Sequence, residues 1–163
     1  QLNPAAVAAY PMYRGIASLL GMDLVKIDDD TLESEFDALA RQYRTGDYDY
    51  FFLHIKPCDS AGEDGDFPKK VQALEKIDRL LPKITGLNPD VLAITGDHST
   101  PANMKGHSWH PVPVLLSGKH CLPDRVASFD EISVAAGGLG QMQSKYLLPL
   151  MLANAGKLEK YGA

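Results

Sequence analysis

Hydrophobic positions along the chain follow two periods, and their alternation predicts helices that alternate with buried strands. Apolar residues three or four positions apart mark helices, whereas short apolar or aromatic runs mark strands. The segment 4–20 is predicted to be a loop that leads into a helix, and the other predicted helices cover 32–43, 68–81 and 145–155. The predicted strands cover 22–27, 50–55, 91–94 and 112–116. This order predicts an α/β fold with a mostly parallel sheet flanked by helices.

Local composition refines this pattern. Ile16, Leu19 and Leu20 form an apolar stripe on the first helix. The strand at 50–55 is dense in aromatic and β-branched residues, which predicts a central strand. The polar, glycine-rich residues 60–66 are predicted to form a loop.

Length and composition predict one domain over residues 1–163. A chain of 163 residues with 45% hydrophobic and 23% charged residues is ordinary for a globular protein with a sizeable core. The net charge of -5 argues against nucleic acid or an anionic membrane as the main partner. Cys58 and Cys121 form neither a metal-binding spacing nor a disulfide framework, which fits the cytoplasm. The sequence has no signal-peptide pattern and no apolar run near the ~20 residues of a membrane span.

Candidate metal ligands follow or precede the predicted strands. Asp59 comes after the strand at 50–55, Asp97 and His98 come after the strand at 91–94, and His107 precedes the last strand. Taken singly, an aspartate at a strand end is more often a helix cap, and a lone histidine is more often hydrogen-bonded than metal-bound. Their joint placement at strand ends favours a site for divalent ions, because carboxylate and imidazole ligands suit zinc, manganese and related metals.

The remaining histidines carry weaker signals. We interpret His54 and His120 as structural, and the pattern leaves His110 open because it lies so close to His107.

Three segments resemble one known family in order and spacing. They are HIKPCDSAGEDGD, ITGDHSTP and HSWHPVPVLLSG, and the flanking stretches AAYPMYRGIASLLGM and FDEISVAAGGLGQM extend the likeness over nearly the whole chain. The family is cofactor-independent (2,3-bisphosphoglycerate-independent) phosphoglycerate mutase, in its archaeal-type branch of the alkaline phosphatase superfamily. The chain resembles only the C-terminal portion, so the resemblance implies part of an alkaline-phosphatase-like core.

The resemblance implies a glycolytic isomerase that interconverts 3-phosphoglycerate and 2-phosphoglycerate through a phosphoserine. It also implies two divalent ions, manganese first, with zinc or magnesium as alternatives. By matching motifs, Asp59 and His107 resemble ligands of one ion, and Asp97 and His98 resemble ligands of the other. Lys56 and Arg14 are candidate contacts for the phosphate or carboxylate of the substrate, although a solvated lysine is the plainer interpretation of Lys56.

Two departures from the family pattern matter. Glu63 stands where the family motif has a ligand histidine, so either a harder, oxygen-rich site survives or this site is lost. The nucleophilic serine and a further aspartate ligand belong to an N-terminal segment that has no counterpart here, and Ser99 is not at the nucleophile's place. We therefore expect the isolated chain to lack mutase activity. We also expect apolar surface that the missing segment or self-association would cover.

Two other hypotheses stay open. One is a related phosphatase, phosphopentomutase or phosphonate hydrolase of the same superfamily. The other is a degenerate, non-catalytic metal-binding or interaction domain, which Glu63 and the missing nucleophile support.

Overall fold

The computed structural model describes residues 2–158, and these residues form two compact units. The first unit contains the residues up to 88 together with 100–106, and the second contains 89–99 together with the residues from 107 onward. The single domain predicted for residues 1–163 stays a prediction.

A three-stranded parallel sheet organises the first unit. Its strands are β1 Pro4–Ala8, β2 Asp23–Leu24 and β3 Tyr50–His54, in the order β2-β1-β3. In the register, Ala6 pairs with Leu24 on one side and with Phe52 on the other. β1 therefore holds the middle position in this sheet, which the sequence had assigned to the aromatic strand β3.

β1 corrects the prediction that the chain begins with a loop and a helix. Its residues Ala5, Ala6, Val7 and Ala8 are at most 2% exposed. Small side chains give a weak strand signal because β-branched and aromatic residues dominate strand preference. Burial between neighbouring elements selects the strand in this case.

Five helices of the first unit surround the sheet or extend from it: α1 Pro11–Leu19, α2 Leu32–Tyr43, α3 Pro57–Asp64, α4 Phe67–Leu80 and the single-turn α5 Pro82–Thr85. The α2 prediction is confirmed at both ends. Thr31 caps α2, because its side chain accepts a hydrogen bond from the Ser34 amide at 3.2 Å. Phe36 is 1% exposed and anchors the buried face of α2.

The apolar stripe predicted on the first helix does not face the core. Leu19 is 89% exposed and Leu20 is 72% exposed, whereas Ala17 is the buried residue of α1. The periodicity of the apolar residues identified the helix, but Ala17 is the residue that packs closely in the core.

α3 corrects most of the loop predicted at 60–66, because residues 60–64 are helical. Pro57 occupies the start of the helix, where its fixed φ and missing amide are tolerated. Gly65 ends the helix in the left-handed conformation, with φ 74. Ala61 and Gly62 are buried, so the small residues that suggested a loop instead allow close packing.

The second unit contains an antiparallel pair of strands, β4 Val91–Thr95 and β5 Val114–Gly118. The parallel pairing predicted for the sheet is thus found among β1–β3, whereas β4 and β5 pair antiparallel. β5 begins two residues later than predicted, after Pro113, which has no amide to donate to a ladder. Two short 3-10 helices, Ser133–Ala136 and Ser144–Tyr146, precede α6 Leu147–Asn154, which confirms the last predicted helix.

A bilayer-spanning helix needs both length and apolar character. Across residues 2–158, none of the helices combines the two.

Candidate metal centre

α3 presents two of the predicted ligands on one face. Asp59 and Glu63 lie four residues apart, which places them one above the other on a helix. Asp59 is half-buried in the first turn, where the helix dipole favours a carboxylate, and Glu63 is exposed. The helix that the sequence analysis missed is thus what brings these two carboxylates to the same side.

A buried hydroxyl orients the Asp59 carboxylate. Thr100, which is 3% exposed, donates from Oγ1 to Oδ1 of Asp59 at 2.5 Å. The carbonyl of Thr100 in turn accepts a hydrogen bond from Nζ of Lys70 at 2.5 Å. These contacts hold Asp59 in one orientation through a residue that no sequence signal had indicated.

Gly62 allows α3 to approach Thr100. A Cβ atom on Gly62 would lie 2.3 Å from the Thr100 carbonyl oxygen, a distance that real Cβ atoms do not adopt. The absence of a side chain at Gly62 therefore lets α3 pack close enough to Thr100 for the Thr100 hydroxyl to reach Asp59.

Lys56 binds the same carboxylates. Its ammonium group donates to Oδ2 of Asp59 in a short contact and lies 3.7 Å from Oε2 of Glu63. The hydrogen bond to Asp59 raises the pKa of Lys56 above its ordinary value. The ring of Tyr10 lies 5.0 Å from Nζ, within cation–π range.

In the second unit, Asp97 and His98 follow β4 after a single residue, Gly96. The His98 amide donates to Oδ1 of Asp97 at 3.0 Å, and Nε2 of His98 lies 3.5 Å from Oδ2 of Asp97. The carboxylate of Asp97 and the imidazole of His98 therefore lie side by side in the second unit.

His107 lies against His98. Their ring centroids are 3.7 Å apart, with 34° between the ring planes. The Ser108 amide donates to the Ser99 carbonyl at 2.8 Å, and this isolated bridge fastens the two segments to each other. The structure thus brings together the three predicted ligands of the second unit, Asp97, His98 and His107.

Other histidines have packing contacts. The ring of His54 stacks on Tyr13 with centroids 3.5 Å apart. Nδ1 of His110 lies 2.9 Å from the Ser108 hydroxyl, and the His110 ring stacks on Trp109. His54 and His110 thus both have packing contacts, and the structural role of His54 stays a prediction.

Arg14 lies on α1, and its side chain reaches the carboxyl end of β1. Its guanidinium donates to the Ala8 carbonyl at 3.2 Å, which positions the side chain beside the carboxyl end of a parallel strand. Ligand chemistry collects at such ends in α/β sheets.

The donor types fit a divalent ion. Each unit, taken by itself, presents donors of this kind: the carboxylates of Asp59 and Glu63 lie on α3 in the first unit, and one carboxylate and two imidazoles lie close together in the second. Oxygen donors suit manganese and magnesium, and imidazoles suit zinc, manganese and similar ions.

Comparison with known proteins identifies the class. Residues 1–154 match the model of the Metalloenzyme superfamily, and the chain belongs to that superfamily. Its relatives include proteins named probable 2,3-bisphosphoglycerate-independent phosphoglycerate mutase. A relative from Thermus thermophilus is 51% identical over 100% of this chain and 40% of its own length. The relative from Aquifex aeolicus is 48% identical over 99% of this chain and 39% of its own length.

Solved structures agree with this assignment. The PH0037 protein from Pyrococcus horikoshii matches 99% of this chain and 51% of its own chain, with a TM-score of 0.92 and 32% identity. The cofactor-independent phosphoglycerate mutase from Thermoplasma acidophilum matches 95% of this chain and 37% of its own, with a TM-score of 0.74 and 25% identity. The family resemblance and the α/β fold class are confirmed, and the chain spans about 40% of the length of the curated relatives.

Proposed function

We propose that this chain is the metal-ligand portion of a phosphoglycerate mutase that interconverts 3-phosphoglycerate and 2-phosphoglycerate through a phosphoserine. One observation carries the proposal: Asp59, His98 and His107, which stand at the motif positions of the family, each offer a ligand atom suited to a metal ion. The names of the relatives support phosphoglycerate as the substrate. The proposed location is the cytoplasm, where glycolysis operates.

We assign the ligands in two groups. Asp59 and His107, with Glu63 in the place of the family's histidine, are proposed to hold one ion, and Asp97 and His98 the other. Manganese is the proposed metal, with zinc or magnesium as alternatives. When bound, two ions of this kind polarise phosphoryl oxygens and lower the pKa of a serine hydroxyl.

The other side chains hold and orient. Thr100 fixes the orientation of Asp59. Arg14 and Lys56 are the proposed cationic contacts for the phosphate and carboxylate groups of the substrate. The nucleophilic serine is proposed to belong to another segment of the full-length protein.

Titration calorimetry with manganese and with zinc tests the ligand assignment. We expect binding that weakens at least tenfold in Asp59→Asn, Asp97→Asn and His107→Ala, because each change removes one charged or imidazole donor. His110→Ala is the matched control, since it removes a neighbouring histidine outside the proposed ligand set. Equal binding in all variants would contradict the assignment.

Trp109 gives an independent reading of the same titration. It is the single tryptophan, lies two residues after His107 and is 83% exposed. Manganese bound at His107 should quench its fluorescence in the wild type and leave it unchanged in His107→Ala.

Glu63 favours a second candidate, a degenerate domain without catalysis. This candidate predicts no manganese or zinc binding in the wild-type chain. The same calorimetry therefore separates the two functions.

A further inference from the structure

Lys56 lies against the carboxylates of two proposed metal ligands, Asp59 and Glu63. Its ammonium group contacts Oδ2 of Asp59 and lies 3.7 Å from Oε2 of Glu63. The side chains of Lys56 and Asp59 are only 27% and 16% exposed, so this pair is shielded from solvent.

The backbone at the start of α3 places Lys56 beside these carboxylates. Lys56 is the N-cap residue and already has helical backbone angles, with φ -86 and ψ -30. Residues 56, 59 and 63 are therefore spaced by three and four positions along one helix face. The ring of Tyr10, 5.0 Å from Nζ, flanks the ammonium group.

A nearby lysine offers a contrast. Lys69 pairs with Asp64 at 3.2 Å, but these side chains are 58% and 61% exposed. Exposed pairs of this kind contribute little, whereas the shielded pair of Lys56 and Asp59 interacts more strongly. Glu63, whose side chain is 46% exposed, adds a weaker attraction to the same ammonium group.

A divalent ion on Asp59 would meet this ammonium group at close range. Charges of the same sign repel at such range, and a divalent ion carries twice the charge of the ammonium group. The ion and the ammonium group therefore compete for the same carboxylates.

We propose that Lys56 is an internal cation of this site, which neutralises Asp59 and Glu63 in the ion-free chain and must move away when a divalent ion binds. The inference rests on the proposed metal function of Asp59. Lys56 thereby stabilises the ion-free chain and weakens its affinity for the ion.

Calorimetric titration of manganese into the 163-residue chain tests this competition. In Lys56→Met, which keeps the length of the side chain without its charge, we expect the Kd for manganese to fall at least about tenfold. The melting temperature without metal should fall as well, because Asp59 and Glu63 then repel each other. Lys69→Met, with the same change in net charge, should leave the Kd within about twofold of wild type.

A second variant covers the outcome in which Lys56→Met does not fold. Lys56→Arg keeps the charge and adds bidentate hydrogen bonding to carboxylates, so manganese should bind more weakly than to wild type. Tighter or equal binding in Lys56→Arg would overturn the inference.

The remaining outcomes distinguish the inference from the function on which it rests. Manganese binding that is lost in Asp59→Asn but unchanged or weaker in Lys56→Met overturns the role of Lys56 alone. Absence of binding in wild type and Lys56→Met overturns both the inference and the proposed metal function.

Discussion

At the residue scale, Thr100 shows how a single hydroxyl can set the direction of a carboxylate proposed to bind metal. It is buried, it donates to Asp59, and its carbonyl is fixed by Lys70. Mutation of a residue that orients a metal ligand commonly weakens metal affinity about tenfold to hundredfold.

Removing this hydroxyl should therefore weaken metal binding. In Thr100→Val, which preserves shape, we expect manganese affinity to fall about tenfold and the free energy of unfolding to fall by about 1–2 kcal/mol. Calorimetry and urea denaturation measure the two effects. Thr100→Ser, which restores the donor, should recover most of the affinity, and failure to recover would point to packing instead of hydrogen bonding.

Glu35 is a second informative residue. It is 3% exposed on α2, where its Oε1 accepts a hydrogen bond from the Ala9 amide at 2.7 Å. Burial is the main cause that raises its pKa from 4.5 to about 7, against the lowering effect of the Ala9 amide. The folded chain thus binds a proton at Glu35 more tightly than the unfolded chain does.

This shift predicts a pH dependence of stability. The contribution of Glu35 is fully present below pH 4.5 and is lost as the pH rises through about 7. Between pH 5 and 8, wild type should lose about 2 kcal/mol more unfolding free energy than Glu35→Gln, whose amide oxygen still accepts from Ala9. Urea denaturation of both proteins at the two pH values measures the difference. Parallel pH profiles would contradict the prediction.

At the scale of elements, α3 and the bridge between Ser99 and Ser108 account for most of the arrangement of donors. α3 stacks Asp59 over Glu63, and the bridge holds together the segments that carry His98 and His107. α3 and the bridge thus each place two donor side chains next to each other.

Glu63 on α3 should determine metal preference. Replacing it with histidine restores the donor type of the family motif, and imidazole suits zinc better than a carboxylate does. We expect Glu63→His to raise the affinity for zinc relative to manganese by about tenfold in paired titrations. Glu63→Gln is the control for the loss of charge alone and should not increase zinc preference.

Sequence reasoning succeeded for some elements because their signals were local. α2 has regular apolar spacing and a threonine cap, and its predicted bounds match the structure. β1 and α3 were missed because alanine and glycine carry little periodic signal. Pro57 and Gly65 mark the ends of α3 and could have revealed it.

The sequence likewise indicates some residues of the candidate site and not others. Asp59, Asp97, His98 and His107 could be proposed as ligands from the sequence because aspartate and histidine are chemically distinctive, and their role stays a prediction. Thr100 and its contact with Asp59 could not be predicted, since that contact spans 41 positions and depends on how closely α3 packs.

At the scale of the whole molecule, the chain spans about 40% of its curated relatives, and its own activity is the question to test. We expect the purified 163-residue chain with manganese to show no turnover of 3-phosphoglycerate, because the proposed phosphoserine belongs to another segment. A coupled assay for 2-phosphoglycerate measures this, with a full-length relative as the positive control. Clear turnover would overturn the assignment of the nucleophile.

The helical backbone beneath Asp59 and Glu63 makes their alignment sensitive to chain length. Each residue advances a helix by about 100°, so one residue inserted between them would swing the two carboxylates apart by more than a quarter turn. Four inserted residues would nearly restore the direction while moving the pair about 6 Å farther apart. The tolerance of this segment to insertions should therefore follow the periodicity of the helix, unlike that of a loop.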